Sequence, residues 1–205
     1  MGLVVTAACD GAVAPARVSL YSYADTFAGQ PVVFRWPASY LPIRYYAYPD
    51  DPLPRLVRRG LAQWEHQFLY GEFRAVLVAD STQADVIVAF EGLAPPPAEP
   101  DTAIPVPACE GVTTPILAGT TLERPLRVTL RWFSGYAPGQ VAACLERVTP
   151  HELGHTLGLF NQSHAGADVT DLMHPFPQVY QPGPRDRTTV EVLYHSLPTV
   201  TPVPR

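Results

Sequence analysis

The most constraining feature of this chain is the eight-residue segment 151–158, which reads His-Glu-Leu-Gly-His-Thr-Leu-Gly. Residues four positions apart lie on the same face of an α-helix, so His151 and His155 can direct ring nitrogens at one point. Two imidazoles are typical of a site in which zinc takes a third protein ligand and keeps its fourth position for water. Glu152 lies beside the first histidine, where it can accept a proton from that water. Gly158 allows a left-handed turn that returns the chain toward the metal.

Length and composition predict a single globular domain. The chain has 205 residues, of which 47% are hydrophobic, enough for one packed core. Its net charge is −5, and the 14 basic residues, all of them arginine, are scattered along the sequence. Because this distribution offers no basic stripe to follow a phosphate backbone, nucleic acid is not an expected partner. No apolar run approaches the roughly 18 residues of a membrane-spanning helix.

Hydrophobic patterning predicts a mixed arrangement of strands and helices. In segment 126–133 apolar residues alternate with arginine and threonine, which is typical of a strand with one buried face. The periodicities predict strands at 43–48, 73–78, 85–90 and 126–133, and helices at 53–70, 140–159 and 186–197. The proline-rich segment 94–107 cannot continue a central strand and is expected to be a surface loop. We therefore predict a tail at 1–30, one domain at 31–198 and a short tail at 199–205.

Two segments carry a resemblance to a known family. Segment 151–159, followed by Asp-Leu-Met-His-Pro at 171–175, resembles the metzincin zinc metallopeptidases, in particular matrixin-like bacterial members. Weaker similarities lie at Trp64, at segment 84–90 and at segment 185–189, so the resemblance covers roughly residues 35 to 198. It implies an α+β fold in which a twisted mixed sheet of about five strands packs on helices beside a zinc cleft. It also implies a methionine turn beneath the metal, contributed here by Met173.

The third metal ligand is where the sequence departs from the family pattern. That pattern expects a histidine three residues after the glycine, a position that Asn161 occupies, and a neutral amide is a poor zinc ligand. We predict His164 instead, since three additional residues in an irregular loop cost little. Asp168 is the next candidate. Glu191 on the last helix would be the ligand in a thermolysin-like arrangement, which Gly158 and Met173 argue against.

Pro150 leaves two geometries open for the helix that carries the histidines. A proline inside a helix removes one hydrogen bond, so a single helix from about residue 140 would be kinked there. Alternatively, Thr149 caps a new helix with Pro150 in its first turn. Glu152 would then lie at the capping-box position and be drawn toward the backbone. We favour the continuous, kinked helix.

The three cysteines suggest an exported protein. Cys9 follows the short apolar segment 3–8, which looks like the last part of a bacterial lipoprotein signal, so Cys9 would carry a lipid that tethers the protein to a membrane. An ordinary N-terminus that happens to contain a cysteine is the other interpretation. Cys109 and Cys144 remain as a pair, and they are either a disulfide or two buried thiols. The expected location is extracytoplasmic, as a secreted or cell-envelope lipoprotein.

These observations predict a zinc-dependent endopeptidase that binds one Zn²⁺ through His151, His155 and His164. Glu152 would act as the general base for a metal-activated water, and the substrate would be a protein or peptide. We expect a monomer. The alternative is a non-catalytic envelope protein that keeps the fold and binds zinc. Glu152 opposes that alternative, because a zinc-binding scaffold needs no carboxylate beside its first ligand.

Overall fold

The computed structural model describes residues 20–27, 29–94, 107–160, 164 and 166–205. These residues form a mixed α+β fold with a five-stranded mixed sheet and three α-helices, which confirms the coarse fold class. The strands, in chain order, are β1 (Asp25–Phe27), β2 (Gln30–Val32), β3 (Ile43–Ala47), β4 (Ala75–Leu77), β5 (Val86–Leu93), β6 (Cys109–Thr114), β7 (Leu117–Ala118), β8 (Thr121–Leu122), β9 (Leu126–Phe133) and β10 (Thr201–Pro202). The helices are α1 (Leu53–Glu65), α2 (Pro138–Thr156) and α3 (Pro184–His195).

The large sheet has the strand order β4-β3-β5-β9-β6. Its first four strands run parallel, and β6 pairs antiparallel with β9 at one edge. In β9 the alternation predicted from the sequence is present, since Leu126, Val128 and Leu130 are buried while Arg127 is exposed. Parallel strands need crossover connections, and α1 provides the one between β3 and β4.

Helix α1 packs against α2 at a point where both backbones come close. A Cβ atom on Gly60 would lie 2.7 Å from Leu153 Cδ1 and 3.4 Å from the Cα of Pro150, so a larger residue here would have to displace the Leu153 side chain. One turn further along α1, the Trp64 indole Nε1 donates a hydrogen bond of 2.7 Å to the Pro150 carbonyl. The α1 helix thereby supports α2 directly beneath its histidines.

Helix α2 is continuous from Pro138 to Thr156 with Pro150 in its interior. This agrees with the favoured geometry and excludes a new helix that starts at Thr149. The Thr149 hydroxyl instead donates to the Leu145 carbonyl at 2.7 Å, as expected for a threonine inside a helix. Glu152 is therefore not a capping residue. Its carboxylate is available for the cleft.

Both ends of the described chain pack outside the predicted domain limits of 31–198. Tyr21 is buried in the core, because the aromatic side chains of this aperiodic segment reach helix α3. Strand β1 pairs with β2 in a hairpin. At the other end β10 pairs in parallel with β8. Arg205 forms an ion pair with the buried carboxylate of Asp85 at 2.7 Å. The packed region is thus longer at both ends than the sequence indicated.

Some predictions lie outside the described residues. These are Cys9, most of the predicted N-terminal tail, most of the proline-rich loop at 94–107, and Asn161. Within the described ranges, no helix combines the length and the apolar character that crossing a membrane requires.

Candidate metal centre

The two histidines of α2 converge as their spacing predicted. His151 Nε2 and His155 Nε2 lie 3.1 Å apart, and His164 Nε2 lies 3.2 Å from His151 Nε2. One ligand atom from each of the three histidines falls within 4.8 Å of the others. Tetrahedral zinc with Zn–N bonds of about 2.0–2.1 Å places its nitrogens about 3.3–3.4 Å apart. The cluster therefore has the composition and spacing of a metal site.

The far side of each helical histidine ring is anchored to the backbone. His151 Nδ1 donates to the Leu172 carbonyl at 2.7 Å, and His155 Nδ1 donates to the Leu159 carbonyl. Donation from Nδ1 leaves the Nε2 lone pair free to bind a metal. Burial, with a smaller contribution from the neighbouring histidine, lowers the pKa of each ring to about 3. Both rings are therefore neutral at neutral pH, which is the form that binds metal.

Gly158 ends the helix and directs the chain toward the third histidine. Its φ angle is +107°, a backbone conformation that favours glycine, and its amide donates to the His155 carbonyl at 3.0 Å. A Cβ at this position would collide with the Phe34 carbonyl oxygen. The left-handed turn predicted for this glycine thus has a steric basis, and His164, six residues further along the chain, lies beside His151.

The other candidate ligands lie apart from the cluster. Asp168 is exposed, and its carboxylate accepts from the Thr170 amide at 3.4 Å. His174 Nδ1 accepts from the Phe176 amide. Glu191 pairs with Arg187 along α3 at 3.1 Å. Among the described residues, the metal-ligating groups that converge are the three histidines alone.

Glu152 is buried beside the cluster and contacts the edge strand. Its Oε2 accepts from the Thr113 hydroxyl at 2.7 Å. A Cβ on Gly111 would overlap the Glu152 carboxylate, so glycine on β6 makes room for this side chain. Burial raises the pKa of Glu152, while the charge of His151 and the Thr113 hydrogen bond act in the opposite direction. Sequence analysis missed Thr113 and Gly111 because this contact joins elements far apart in the chain.

Met173 is buried against helix α2 at Gly154. The side chain is fully buried, and a Cβ on Gly154 would lie 2.5 Å from the methionine sulfur. The Asp186 carboxylate accepts from the Leu172 amide at 2.9 Å and from the Met173 amide at 3.3 Å. Asp186 was another residue that sequence analysis did not single out, although its position in the first turn of α3 is typical of a side chain that binds backbone amides.

Asp186 also connects this loop to both neighbouring segments. It accepts from the Gly183 amide at 2.7 Å and from the Tyr21 hydroxyl at 2.7 Å. Burial raises its pKa, and these hydrogen bonds partly offset that effect. One buried carboxylate thus joins the N-terminal segment, the loop below the histidines and helix α3.

The histidines open into a cleft of about 660 Å³ between α2, β6 and segment 175–178. Cys109 on β6 and Cys144 on α2 form a disulfide that joins two walls of this cleft. The pairing that the sequence left open is therefore present in the structure. Glu152 and Thr113 line the cleft together with the three histidines. This arrangement could hold a metal ion with one open side that faces a bound molecule.

Comparison with known proteins supplies no further identification. No family model matches the sequence, and no curated protein matches it significantly.

Proposed function

We propose that this chain is a zinc-dependent endopeptidase of the metzincin type. The observation that carries the proposal is the convergence of three histidine Nε2 atoms beside a buried glutamate at the base of an open cleft. The ligand set is all imidazole, which suits zinc among the common divalent ions. A zinc ion held there would polarise a peptide carbonyl and lower the pKa of a bound water.

The protein's own residues would act on that water and on the substrate. Glu152 would take the proton of the attacking water and transfer it to the leaving amine, since its carboxylate lies beside the histidine cluster and faces the cleft. The Thr113 hydroxyl holds this carboxylate in position through its 2.7 Å hydrogen bond. The edge strand β6 offers backbone groups with which an extended peptide can pair.

A methionine turn beneath the metal, contributed by Met173, is part of this proposal. Met173 packs against Gly154 under the helix, and the Leu172 carbonyl anchors His151. A thermolysin-like arrangement would draw on Glu191, which pairs with Arg187. These contacts support a histidine as the third ligand and Met173 as the turn residue.

The disulfide supports a location outside the cytoplasm. Disulfides persist in oxidising compartments, and the Cys109–Cys144 bridge lies at the cleft itself. We propose an exported peptidase that acts on protein or peptide substrates. Its attachment to a membrane through Cys9 remains part of the proposal.

The test combines zinc content with cleavage of denatured casein. Native protein is expected to hold about one zinc and to cleave. Glu152→Gln should retain the zinc but lose at least about 100-fold in kcat/KM, because general-base catalysis contributes that much or more. His164→Ala should lose both zinc and activity after dialysis. His66→Ala, which alters an exposed histidine far from the cleft, is the matched control and should behave as native.

Two outcomes would overturn the proposal. If native protein binds zinc and cleaves no peptide bond, the non-catalytic zinc-binding function takes precedence. If Glu152→Gln cleaves as fast as native protein, Glu152 is not the general base.

A further inference from the structure

The cleft contains a cationic side chain that the proposed chemistry does not use. Arg147 is the one arginine among the described residues that line the cleft, and the sequence contains no lysine. It lies on α2 four residues before His151 and eight residues before His155, so the three side chains share one helical face. All three line the cleft.

Arg147 differs from the other arginines near the site in its partner. Arg131 pairs with Glu91 and Glu110, whereas Arg147 contacts the Tyr180 ring, with its guanidinium carbon 5.6 Å from the ring centroid. Within the described part of the chain, no carboxylate lies within ion-pairing distance of Arg147. Its positive charge therefore faces the cleft with an aromatic ring beside it and no negative partner among the described residues.

The surroundings of Arg147 favour a carboxylate of the substrate as the partner of its guanidinium group. Arg147 is half-buried, and Val112, Val148 and Phe176 line the same cleft, so water screens its charge less than it would on an open surface. The cleft's other acidic side chain besides Glu152 is Glu110, which already pairs with Arg131 at 3.2 Å. A guanidinium in such a place binds a carboxylate by two parallel hydrogen bonds.

The separation of Arg147 and His151 along α2 indicates that such a carboxylate lies close to the peptide bond that is cut. Four helical residues, a rise of about 6 Å, separate Arg147 from His151 along α2. One residue of an extended peptide spans about 3.3 Å. The arginine side chain therefore reaches the side chain of a residue next to a peptide bond held at the histidines.

We propose that Arg147 determines specificity by selecting an acidic side chain beside the scissile bond, an inference that rests on the proposed peptidase function. The probes are acetylated hexapeptides of alanine and leucine with Glu, Gln or Lys at either central position. Native protein should cleave the better-placed Glu peptide about tenfold faster in kcat/KM than its Gln counterpart, as a charge-assisted hydrogen bond would give. Raising the salt concentration should reduce this ratio.

Three variants isolate the charge. Arg147→Met keeps the stem of the side chain and should abolish the preference, so that the Glu peptide loses much more in kcat/KM than the Gln peptide and the two rates become equal. Arg147→Lys should retain most of the preference. Arg58→Met removes an exposed arginine from the outer face of α1 and should leave every rate unchanged. Equal losses for the Glu and Gln peptides in Arg147→Met would make the residue structural and overturn the proposal.

A binding measurement separates this proposal from the peptidase function. Zinc-loaded Glu152→Gln protein should bind the fluorescently labelled Glu peptide more tightly than the Gln peptide, in the same ratio. Selective binding by a native protein that cleaves nothing would refute the peptidase function and leave recognition by Arg147 standing. Cleavage or binding without any difference between Glu and Gln would refute recognition by Arg147.

Discussion

The candidate metal centre has two histidines on helix α2 and one on the loop after it, and the two parts are built differently. His151 and His155 are about 95% buried, at 4% and 5% exposure, and each donates its Nδ1–H to a backbone carbonyl. His164 is half-buried, and in the described part of the chain no carbonyl accepts from its ring. The helix thus presents two ligands that are already oriented, while the third depends on the path of the chain after Gly158.

The loop below the histidines is anchored by buried hydrogen bonds, as the two helical histidines are. Segment 171–173 has no regular secondary structure, yet Met173 is fully buried and Asp186 binds the amides of Leu172 and Met173. A loop becomes well ordered when its polar backbone groups find buried partners. The segments around the site therefore differ in whether buried groups anchor them, and not in whether they are helix or loop.

Gly158 is the junction of the two halves and should give the largest effect. Gly158→Ala places a Cβ against the Phe34 carbonyl at a φ of +107°, so we expect a loss of about 3–5 kcal/mol in the free energy of unfolding. Urea unfolding of the chelator-treated protein measures this without a contribution from metal. Gly139→Ala is the control, since no atom lies within 4 Å of its new Cβ, and it should cost nothing. A loss below about 1 kcal/mol for Gly158→Ala would contradict the steric argument.

Replacing the histidines one at a time should have a smaller effect, and the loss of zinc affinity should differ between His151 and His164. Zinc-binding free energies of about 10–16 kcal/mol shared among four ligands give about 2.5–4 kcal/mol for each, so His151→Ala should weaken zinc binding by about two orders of magnitude. His164→Ala should lose less, because this ring is half-buried and, within the described residues, no carbonyl holds it in the orientation for binding metal. Competition with a chromogenic chelator gives both dissociation constants. Equal losses would mean that His164 is as firmly held as the helical pair.

The features that could be predicted from the sequence are those that a local pattern determines. Helix α2, its converging histidines and strand β9 were predicted within a few residues, because periodic burial is a local pattern. Helix α1 ends at Glu65, five residues before the predicted end, since the amides of Gln67 and Phe68 turn back onto Trp64 and Glu65 in a tighter turn.

The parts that escaped prediction depend on contacts between distant residues. Thr113 supports Glu152 from 39 positions away, and Tyr21 meets Asp186 across 165 positions. Strand β6 contains a glycine and three polar residues, so no hydrophobic alternation marks it. His164 could be chosen from the chemistry of the available side chains, but only the fold brings it within 3.2 Å of His151.

A substitution at Asp186 tests whether the hydrogen bonds to its carboxylate account for the order of the loop beneath the histidines. Asp186→Asn exchanges one accepting oxygen for an amide group, which cannot accept from the Met173 amide, whereas the Tyr21 hydroxyl can rotate and accept from the new group. We expect a loss of about 1–2 kcal/mol in the free energy of unfolding, the cost of leaving one buried donor unsatisfied. Zinc binding should weaken with it, because the Leu172 carbonyl that holds His151 belongs to the same loop. Asp50→Asn changes an exposed carboxylate and should alter neither quantity. If Asp186→Asn unfolds like native protein in urea and binds zinc equally well, the burial of Met173 alone orders the loop.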